Sequence, residues 1–386
     1  MNSAVIIDVV RTPLGRRNGQ FSGAHAVDLA SHVLRSLTER NDIDPALIED
    51  VVMGCVMQVG EQGVNIARNA LLAAGLPETT PGTTVDRQCG SSQQAAHFAA
   101  QGVIAGAYDV VIAAGVEHMT HVPMGASMVK GQFGLPFSTE LTTRYPNLVP
   151  QGISAELISE KWGISREQND AFAVESHRRA AQAQREGRFD REIVPLTVST
   201  PEGDVLVTSD EGIRPDSSME TLAKLKPAFK EDGVVTAGAS SQITDGAAAM
   251  LITSEETANR LGLKPRARFH TFALAGADPV LMLTAPIPAT HKVLERAGMT
   301  LDQIDIVEIN EAFAPVVLAW EQEHKPDMSK VNPNGGAIAL GHPLGASGAR
   351  LMSTLLCELE RTGGRFGLQT MCEGGGMANA TIIERL

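Results

Sequence analysis

The sequence predicts an α/β protein of two similar halves, with a long irregular segment inserted in the first. Three observations carry this. Short apolar runs alternate with helical patterns from residue 3 to about 115, and again from about 244 onward. The last third repeats the element order of the first at an offset of roughly 255 residues. Between them, Glu117 to Ser241 changes character, and His118 to Pro150 is rich in Gly, Pro, Thr and Met with little periodicity. An enclosed site where the halves meet is the natural consequence.

The totals set outer limits. With 386 residues, 43% of them hydrophobic and 37 of them glycine, the chain can form two or three units around a large core. Aromatics are only 4%, so Ala, Val, Ile, Leu and Met must fill that core and the elements must approach closely. A net charge of −13 with no long basic run argues against nucleic acid as the main partner. The four cysteines, Cys55, Cys89, Cys357 and Cys372, show no C-x-x-C and no close pairing, which disfavours a disulfide framework or zinc site and fits a reducing cytosol. No apolar stretch reaches the ~18 residues of a membrane span. The opening MNSAVIIDVVRTP reads as a strand rather than a signal peptide, and the terminal ERL carries no peroxisomal or lipid-attachment signal, so a cytoplasmic location is expected.

In order, residues 3–10 form a buried strand. Asp28 to Arg40 follows as a helix on Leu29, Val33 and Leu37, and Asp50 to Met57 is the next strand. Asn65 to Gly75 is a helix stopped by Gly75 with Pro77 beyond. Thr84 to Ala100 sets Cys89 between a short strand and a helix of small residues, and Tyr108 to Gly115 is a strand. In the insertion, Ser165 with Gln168 caps a helix running to about Gly187, whose arginines (Arg178, Arg179, Arg185, Arg188) are expected on a solvated face. Pro195 to Lys226 reads as extended and loop-rich. The first unit resumes near Thr244. Ala289 to Asp305 gives a helix, a turn and a second capped helix start at Thr300 and Gln303. The strand IDIVEI, a glycine-rich lead at Asn334 into a small-residue helix, and a strand at Phe366 to Met371 complete the second half.

Four stretches carry chemistry. Gly90, Ser91 and Ser92 let the backbone turn at Cys89 and leave free N–H groups near the sulfur; a helix N-terminus there favours thiolate and makes a nucleophile. The bland alternative is a buried structural cysteine. NPNGGAIALGHPLGASGAR holds His342 among glycines; Gly336 to Gly341 has a P-loop gap, but His342-Pro343 stands where Lys-Ser/Thr is required. A core histidine competes with a general base of near-neutral pKa. MCEGGGMANATIIE puts Cys372 at a strand end before open glycines, suited to proton transfer at carbon, with following N–H groups for an oxyanion. EINEAFAPVV offers Asn310, either a helix cap or an amide holding water or a carbonyl.

Taken together, CGSS, NEAF, GHPLGASG and CEGGG, in that order, resemble the thiolase family over essentially the whole chain. The resemblance implies a five-layer α-β-α-β-α sandwich of two halves (1–118 with 244–265, and 266–386) plus a loop domain (119–243) binding coenzyme A. It implies CoA-dependent thiolytic cleavage of a 3-oxoacyl-CoA through an acylated Cys89, with the biosynthetic acetyl-CoA acetyltransferase reaction as the alternative. His342 would take protons from Cys89 and from CoA, Cys372 would serve the carbon acid, Asn310 would hold a water, and the N–H groups of Cys89 and Gly374 would form an oxyanion hole. Arg214 would face the nucleotide phosphate; Thr221, Leu225, Ala228, Phe229, Ala237 and Ser241 would line the pantetheine channel, with Ala312 and Phe313 at its inner end. CoA enters as co-substrate, no cofactor or metal is implied, and a homodimer or dimer of dimers is expected. Pro150-Gln151-Gly152 stands where acetoacetyl-CoA thiolases carry HMG, and the GVKMGD-type stretch of tetrameric members is missing. A second cysteine speaks against a decarboxylating β-ketoacyl synthase, and four reactive positions speak against a non-catalytic carrier.

Overall fold

The computed structural model describes residues 3–201 and 203–386. The first half contributes β1 (Ala4–Arg11), β2 (Gly15–Arg16), α1 (Ala26–Arg40), β3 (Asp50–Gly54), α2 (Ile66–Ala73), β4 (Gly82–Val85), α3 (Ser91–Ala105) and β5 (Val110–His118). The insertion holds α4 (Thr139–Arg144), α5 (Gln151–Trp162), α6 (Arg166–Arg185), the hairpin β6 (Leu196–Thr200) and β7 (Gly203–Val207), and α7 (Met219–Leu222). Then come β8 (Thr244–Ser254), α8 (Glu255–Leu261), β9 (Ala267–Gly276), α9 (Pro286–Ala297), β10 (Ile306–Ile309), α10 (Ala314–His324), α11 (Ala337–Leu340), α12 (Ser347–Thr362), β11 (Phe366–Glu373) and β12 (Met377–Arg385).

Strand alternation builds the layers. The strand order is β10-β11-β12-β9-β1-β8-β5-β3-β4, but β1 and β9 share only the pairs Val5–Arg268 and Ile6–Ala267, so two leaves meet at one edge. Val51, Ile112, Ala114 and Leu251 point one way, onto α1 and α2. Val52, Val111, Ala113 and Met250 point the other way, onto α3 and α12. Phe269 and Ile383 of the second leaf reach the same two helices, while Val307, Leu368, Ala380 and Ile382 face α9 and α10. The order helix, sheet, helix, sheet, helix is the expected five-layer sandwich. Buried on both faces, β1, β5 and β8 read as unbroken apolar runs.

Small residues set the spacing in the middle layer. A Cβ on Gly348 of α12 would lie 2.3 Å from the backbone nitrogen of Gln93 in α3. Ser92 Oγ accepts the Ala349 N–H at 2.9 Å, tying the start of one helix to the start of the other. Gly54 and Gly115 make the same allowance: a Cβ on either would lie 2.8 and 2.2 Å from the Gly345 carbonyl oxygen.

The insertion is locked on by charge. Arg11 of β1 donates from Nε to Glu192 at 2.7 Å and through both Nη atoms to Asp210 at 2.7 and 2.9 Å, and its side chain is fully buried. Of the four arginines expected on a solvated face, Arg178 and Arg185 of α6 are exposed, whereas Arg179 and, just beyond the helix, Arg188 are drawn inward. Arg178 pairs with Glu175 near solvent, whereas Arg179 reaches the Val331 and Met328 carbonyls and Arg188 reaches Asn334. Arg179 docks the helix on the second half by satisfying loop carbonyls that no other backbone group among the described residues meets.

Other boundaries moved. The strand from Asp50 ends at Gly54, and Thr300–Gln303 caps a single 3₁₀ turn, since Ile304 must already enter the strand region. Pro195 to Lys226 contains the β6–β7 hairpin and α7, and His118 to Pro150 contains α4.

Gly348→Ala should therefore destabilise the protein by about 2–3 kcal/mol or more, since backbone rather than a movable side chain blocks the methyl group. Gly363→Ala, at a left-handed C-cap (φ 76°) with open space around it, should cost only about 1 kcal/mol. Thermal melting of the two variants checks the ranking.

Candidate active site

Cys89 follows β4 in a tight turn. Gln88 takes a left-handed φ of 48°, Gly90 N–H donates to the Arg87 carbonyl, and Ser91 N–H donates to Gln88, both at 3.1 Å. These two N–H groups are consumed by the turn, not left free around the sulfur as the sequence reading expects. The donors that do reach the buried Cys89 sulfur are its own N–H, the Gly374 N–H and the side chain of Gln151.

Cys372 and Gly374 come from the end of β11, where Gly375 and Gly376, each at φ 83°, turn the chain into β12. Cys372 is fully buried and close enough to Cys89 for charge on the Cys89 sulfur to oppose its ionisation. Between them in sequence, Glu373 points beneath the Cys89 turn. A Cβ on Gly90 would lie 2.0 Å from Glu373 Oε1 and 2.6 Å from Asn379 Oδ1, so only glycine fits. Neither carboxyl oxygen of Glu373 has a hydrogen-bond partner among the described residues.

His342 sits in the turn between α11 and α12. Its N–H meets Thr244 Oγ1 at 3.1 Å and the Gln242 carbonyl at 3.2 Å. Ser347 Oγ donates to the Pro343 carbonyl at 2.8 Å and accepts from His342 Nδ1 at 2.6 Å. This network assigns the ring proton to Nδ1 and leaves the Nε2 lone pair open as a base. Asn310 Nδ2 lies 3.4 Å from that Nε2, and its buried Oδ1 has no hydrogen-bond partner among the described residues. The helix that follows begins at Ala314 with Phe313 as its cap, so Asn310 is not a capping residue. Leu344, two residues beyond His342, packs in one buried cluster with Cys89, Met57 and Met371.

Glu117 holds this loop to the first half. Its buried carboxylate accepts from Val56, Met57 and Gly345 N–H groups at 2.9–3.0 Å and from Gln62 Nε2 at 2.7 Å.

Burial sets the electrostatics. It pushes the Cys89 thiol up to about 12, with the Glu373 charge adding to the rise and the Gln151, Cys89 and Gly374 donors opposing it. Cys372 is raised well above the usual thiol range by burial, then by Cys89 and Glu373. His342 is held down to about 3 by burial and then by the Arg350 cation. The resting state thus has a neutral thiol at Cys89 and a neutral imidazole at His342, not the thiolate and near-neutral histidine expected from a helix N-terminus and an open loop.

The strip named for coenzyme A lies on the insertion. Leu225, Ala228, Phe229 and Ala237 are exposed apolar residues, while Ala312 and Phe313 are buried at its inner end. Ser241 N–H donates to the Ala312 carbonyl at 2.9 Å, and Phe229 meets Phe313 edge-on at 5.6 Å between centroids. Arg214 is exposed, with its N–H on His177 Nδ1 at 3.1 Å. Thr221 is engaged locally: its hydroxyl accepts the Ser218 N–H at 2.9 Å in a capping box for α7. Among the described residues no group of three or more His, Cys, Asp and Glu side chains is placed to hold a metal, and no helix is long and apolar enough to cross a membrane.

Sequence reasoning missed Ser347, Glu117 and Gln151. The GHPLGASG spacing of five residues from His342 to Ser347 is a signal for the first; nothing local marks Glu117, and Gln151 enters the sequence reading only within Pro150-Gln151-Gly152, with no role at the sulfur.

The chain matches the family model described as thiolase, N-terminal domain over residues 4–256 and that for thiolase, C-terminal domain over 263–385. It is 53% identical to a steroid 3-ketoacyl-CoA thiolase of Mycobacterium tuberculosis, covering all of this chain and 95% of that protein. It is 48% identical to a 3-ketoacyl-CoA thiolase of Aliivibrio fischeri over the full length of both. The crystal structure of the Bacillus anthracis acetyl-CoA acetyltransferase superposes with a TM-score of 0.91 at 38% identity, covering 100% of this chain and 99% of that one.

Burial pushes the Glu373 carboxyl up to about 8, with the Arg87 cation opposing the rise. The folded state thus keeps a proton that the unfolded chain gives up near pH 4.5. Stability falls as pH rises from that value and levels off above 8, at about 1.4 kcal/mol per unit of displacement. Glu373→Gln, which has no proton to lose, should gain melting temperature relative to the parent between pH 5 and 8. A pH-independent difference between the two melting curves would show that Glu373 is ionised throughout.

Proposed function

The chain belongs to the thiolase family, and from that premise we propose that it is a 3-oxoacyl-CoA thiolase acting in lipid degradation. It is an acyltransferase that cleaves a 3-oxoacyl-CoA with CoA to give acetyl-CoA and a shortened acyl-CoA. The observation that carries the reading is the pairing of two buried, mutually interacting thiols, Cys89 and Cys372, in one fold with an imidazole whose Nε2 is unprotonated. One thiol can be acylated while the other handles a proton at carbon.

Cys89 Sγ attacks the 3-keto carbon of the substrate as its proton passes to His342 Nε2. The N–H groups of Cys89 and Gly374 receive the resulting oxyanion. Collapse breaks the C2–C3 bond, and the departing acetyl-CoA enolate takes a proton from Cys372, its thioester oxygen held by His342 and by a water on Asn310. The proton on His342 then passes to the Cys372 thiolate, restoring both. CoA gives its thiol proton to His342 and attacks the acyl-enzyme; as Cys89 leaves, the proton returns to it. CoA lies along Leu225, Ala228, Phe229, Ala237 and Ser241, with Arg214 and Thr221 toward the nucleotide and Ala312 and Phe313 toward the thiol. In this reading 1–118 with 244–265 and 266–386 are the catalytic halves, and 119–243 is the CoA-binding loop domain. The enzyme works as a homodimer or dimer of dimers in the cytoplasm.

The likeness to an acetyl-CoA acetyltransferase structure supports a second reading, the condensation of two acetyl-CoA. The relative from Mycobacterium tuberculosis makes steroid-derived acyl groups a substrate class to include. Incubation with acetyl-CoA should leave one acetyl group on Cys89, seen by intact and peptide mass and absent in Cys89→Ala. kcat/KM for thiolysis should rise from acetoacetyl-CoA to longer or steroid 3-oxoacyl-CoA substrates. Cleavage of acetoacetyl-CoA alone would favour the second reading.

A further inference from the structure

Gln151 has no part in the mechanism above, yet its side chain reaches the nucleophile. It is the first residue of α5, capped by Pro150, which offers no side-chain hydrogen bond. Its amide makes a hydrogen bond to Cys89, and its Nε2 lies 3.5 Å from where a Cβ on Gly374 would stand. The nitrogen, a donor only, therefore faces both the sulfur and the backbone of the proposed oxyanion hole.

The position is rigid. A Cβ on the next residue, Gly152, would lie 2.1 Å from the Phe229 ring, so the start of α5 is pressed onto the wall of the proposed CoA channel. One turn on, Glu156 accepts the Val234 and Val235 N–H groups at 2.9 and 3.0 Å, clamping α5 to the strip that carries Phe229. The backbone that carries Gln151 cannot shift without moving that strip.

We propose that Gln151 is a catalytic residue of the thiolase reaction: its Nε2–H donates to the Cys89 sulfur as that atom becomes anionic, adding a side-chain donor to the Cys89 and Gly374 N–H groups. As Cys89 loses its proton to His342 Nε2, negative charge forms in a pocket that already holds Glu373 and Cys372, with Asp86 and Arg87 on the same turn. A neutral amide opposes the resulting cost without becoming charged and without competing for the proton. When the acyl group is transferred the sulfur becomes neutral, and the same N–H is released toward the new carbonyl oxygen. The inference rests on Cys89 being the acylated residue.

The test uses Gln151→Met, which keeps length and removes the donor, and Gln151→Glu, which replaces the donor by an acceptor. The readouts are Cys89 alkylation by iodoacetamide between pH 6 and 10, scored by peptide mass, with kcat and KM for thiolysis. A hydrogen bond to a charged atom predicts that Gln151→Met slows Cys89 alkylation and lowers kcat on the order of tenfold or more, while the alkylation of Cys357 stays unchanged. Gln151→Glu should slow alkylation further. A Cys89 alkylation profile unchanged in a folded Gln151→Met overturns the proposal, as does a rise in KM alone, which would make Gln151 a substrate contact. If Gln151→Met fails to fold, an unchanged profile in Gln151→Glu overturns it equally. Absence of an acetyl adduct on the parent would sink the thiolase reading, while the alkylation profiles still report on the hydrogen bond.

Discussion

Three stretches of backbone meet at Gly54, Gly115 and Gly345 with no side chain between them, and the site depends on that contact. The carboxyl ends of β3 and β5 touch the loop that carries His342 directly, because a Cβ at any of the three would overlap backbone atoms. Glu117 then converts proximity into register, collecting N–H groups from the β3 loop and from Gly345 on one buried carboxylate. An anion there is tolerable because it accepts several hydrogen bonds; it replaces the solvation lost on burial. The halves are held to one another through backbone, which leaves little freedom for the histidine relative to the sulfur.

The same density governs the chemistry. Removing water from two thiols, an imidazole and a carboxyl penalises every charged form, so each group rests neutral. A thiolate maintained permanently would be a weaker base and open to oxidation. In the proposed reaction, forming it only in concert with proton transfer keeps the nucleophile strong and puts the Cys89 and Gly374 N–H groups where charge appears transiently. Preorganised dipoles are most effective under such conditions.

Much of this was legible in the residues. Cys89, His342 and Cys372 stand beside glycines at strand or helix ends, and Asn310 directly follows a strand, places where the chain turns and a polar or sulfur side chain stands out in the sequence. The two-half architecture followed from alternating elements and their repetition. Helices α5 and α10 escaped notice for a physical reason: α10 is buried from Ala314 to Val317 and again at Ala319 and Trp320, so it shows no polar face and no period. The Cys89 turn was misjudged because the fate of its N–H groups depends on the left-handed φ of Gln88, a residue that does not advertise it. Ser347, Glu117 and Gln151 act across the fold, and single-sequence spacing is blind to all but the first.

The Arg11 ion pairs have a bearing on how such proteins diversify. Its guanidinium belongs to the first strand of the chain, whereas both carboxylates, Glu192 and Asp210, arrive with the insertion, and Thr354 of α12 also donates to Glu192 at 3.1 Å. Deprived of either carboxylate, the cation would be stranded away from water at severe cost. The insertion is therefore not a detachable cassette. Grafting one from a relative with a different acyl preference will yield a folded chimera only if both acids travel with it.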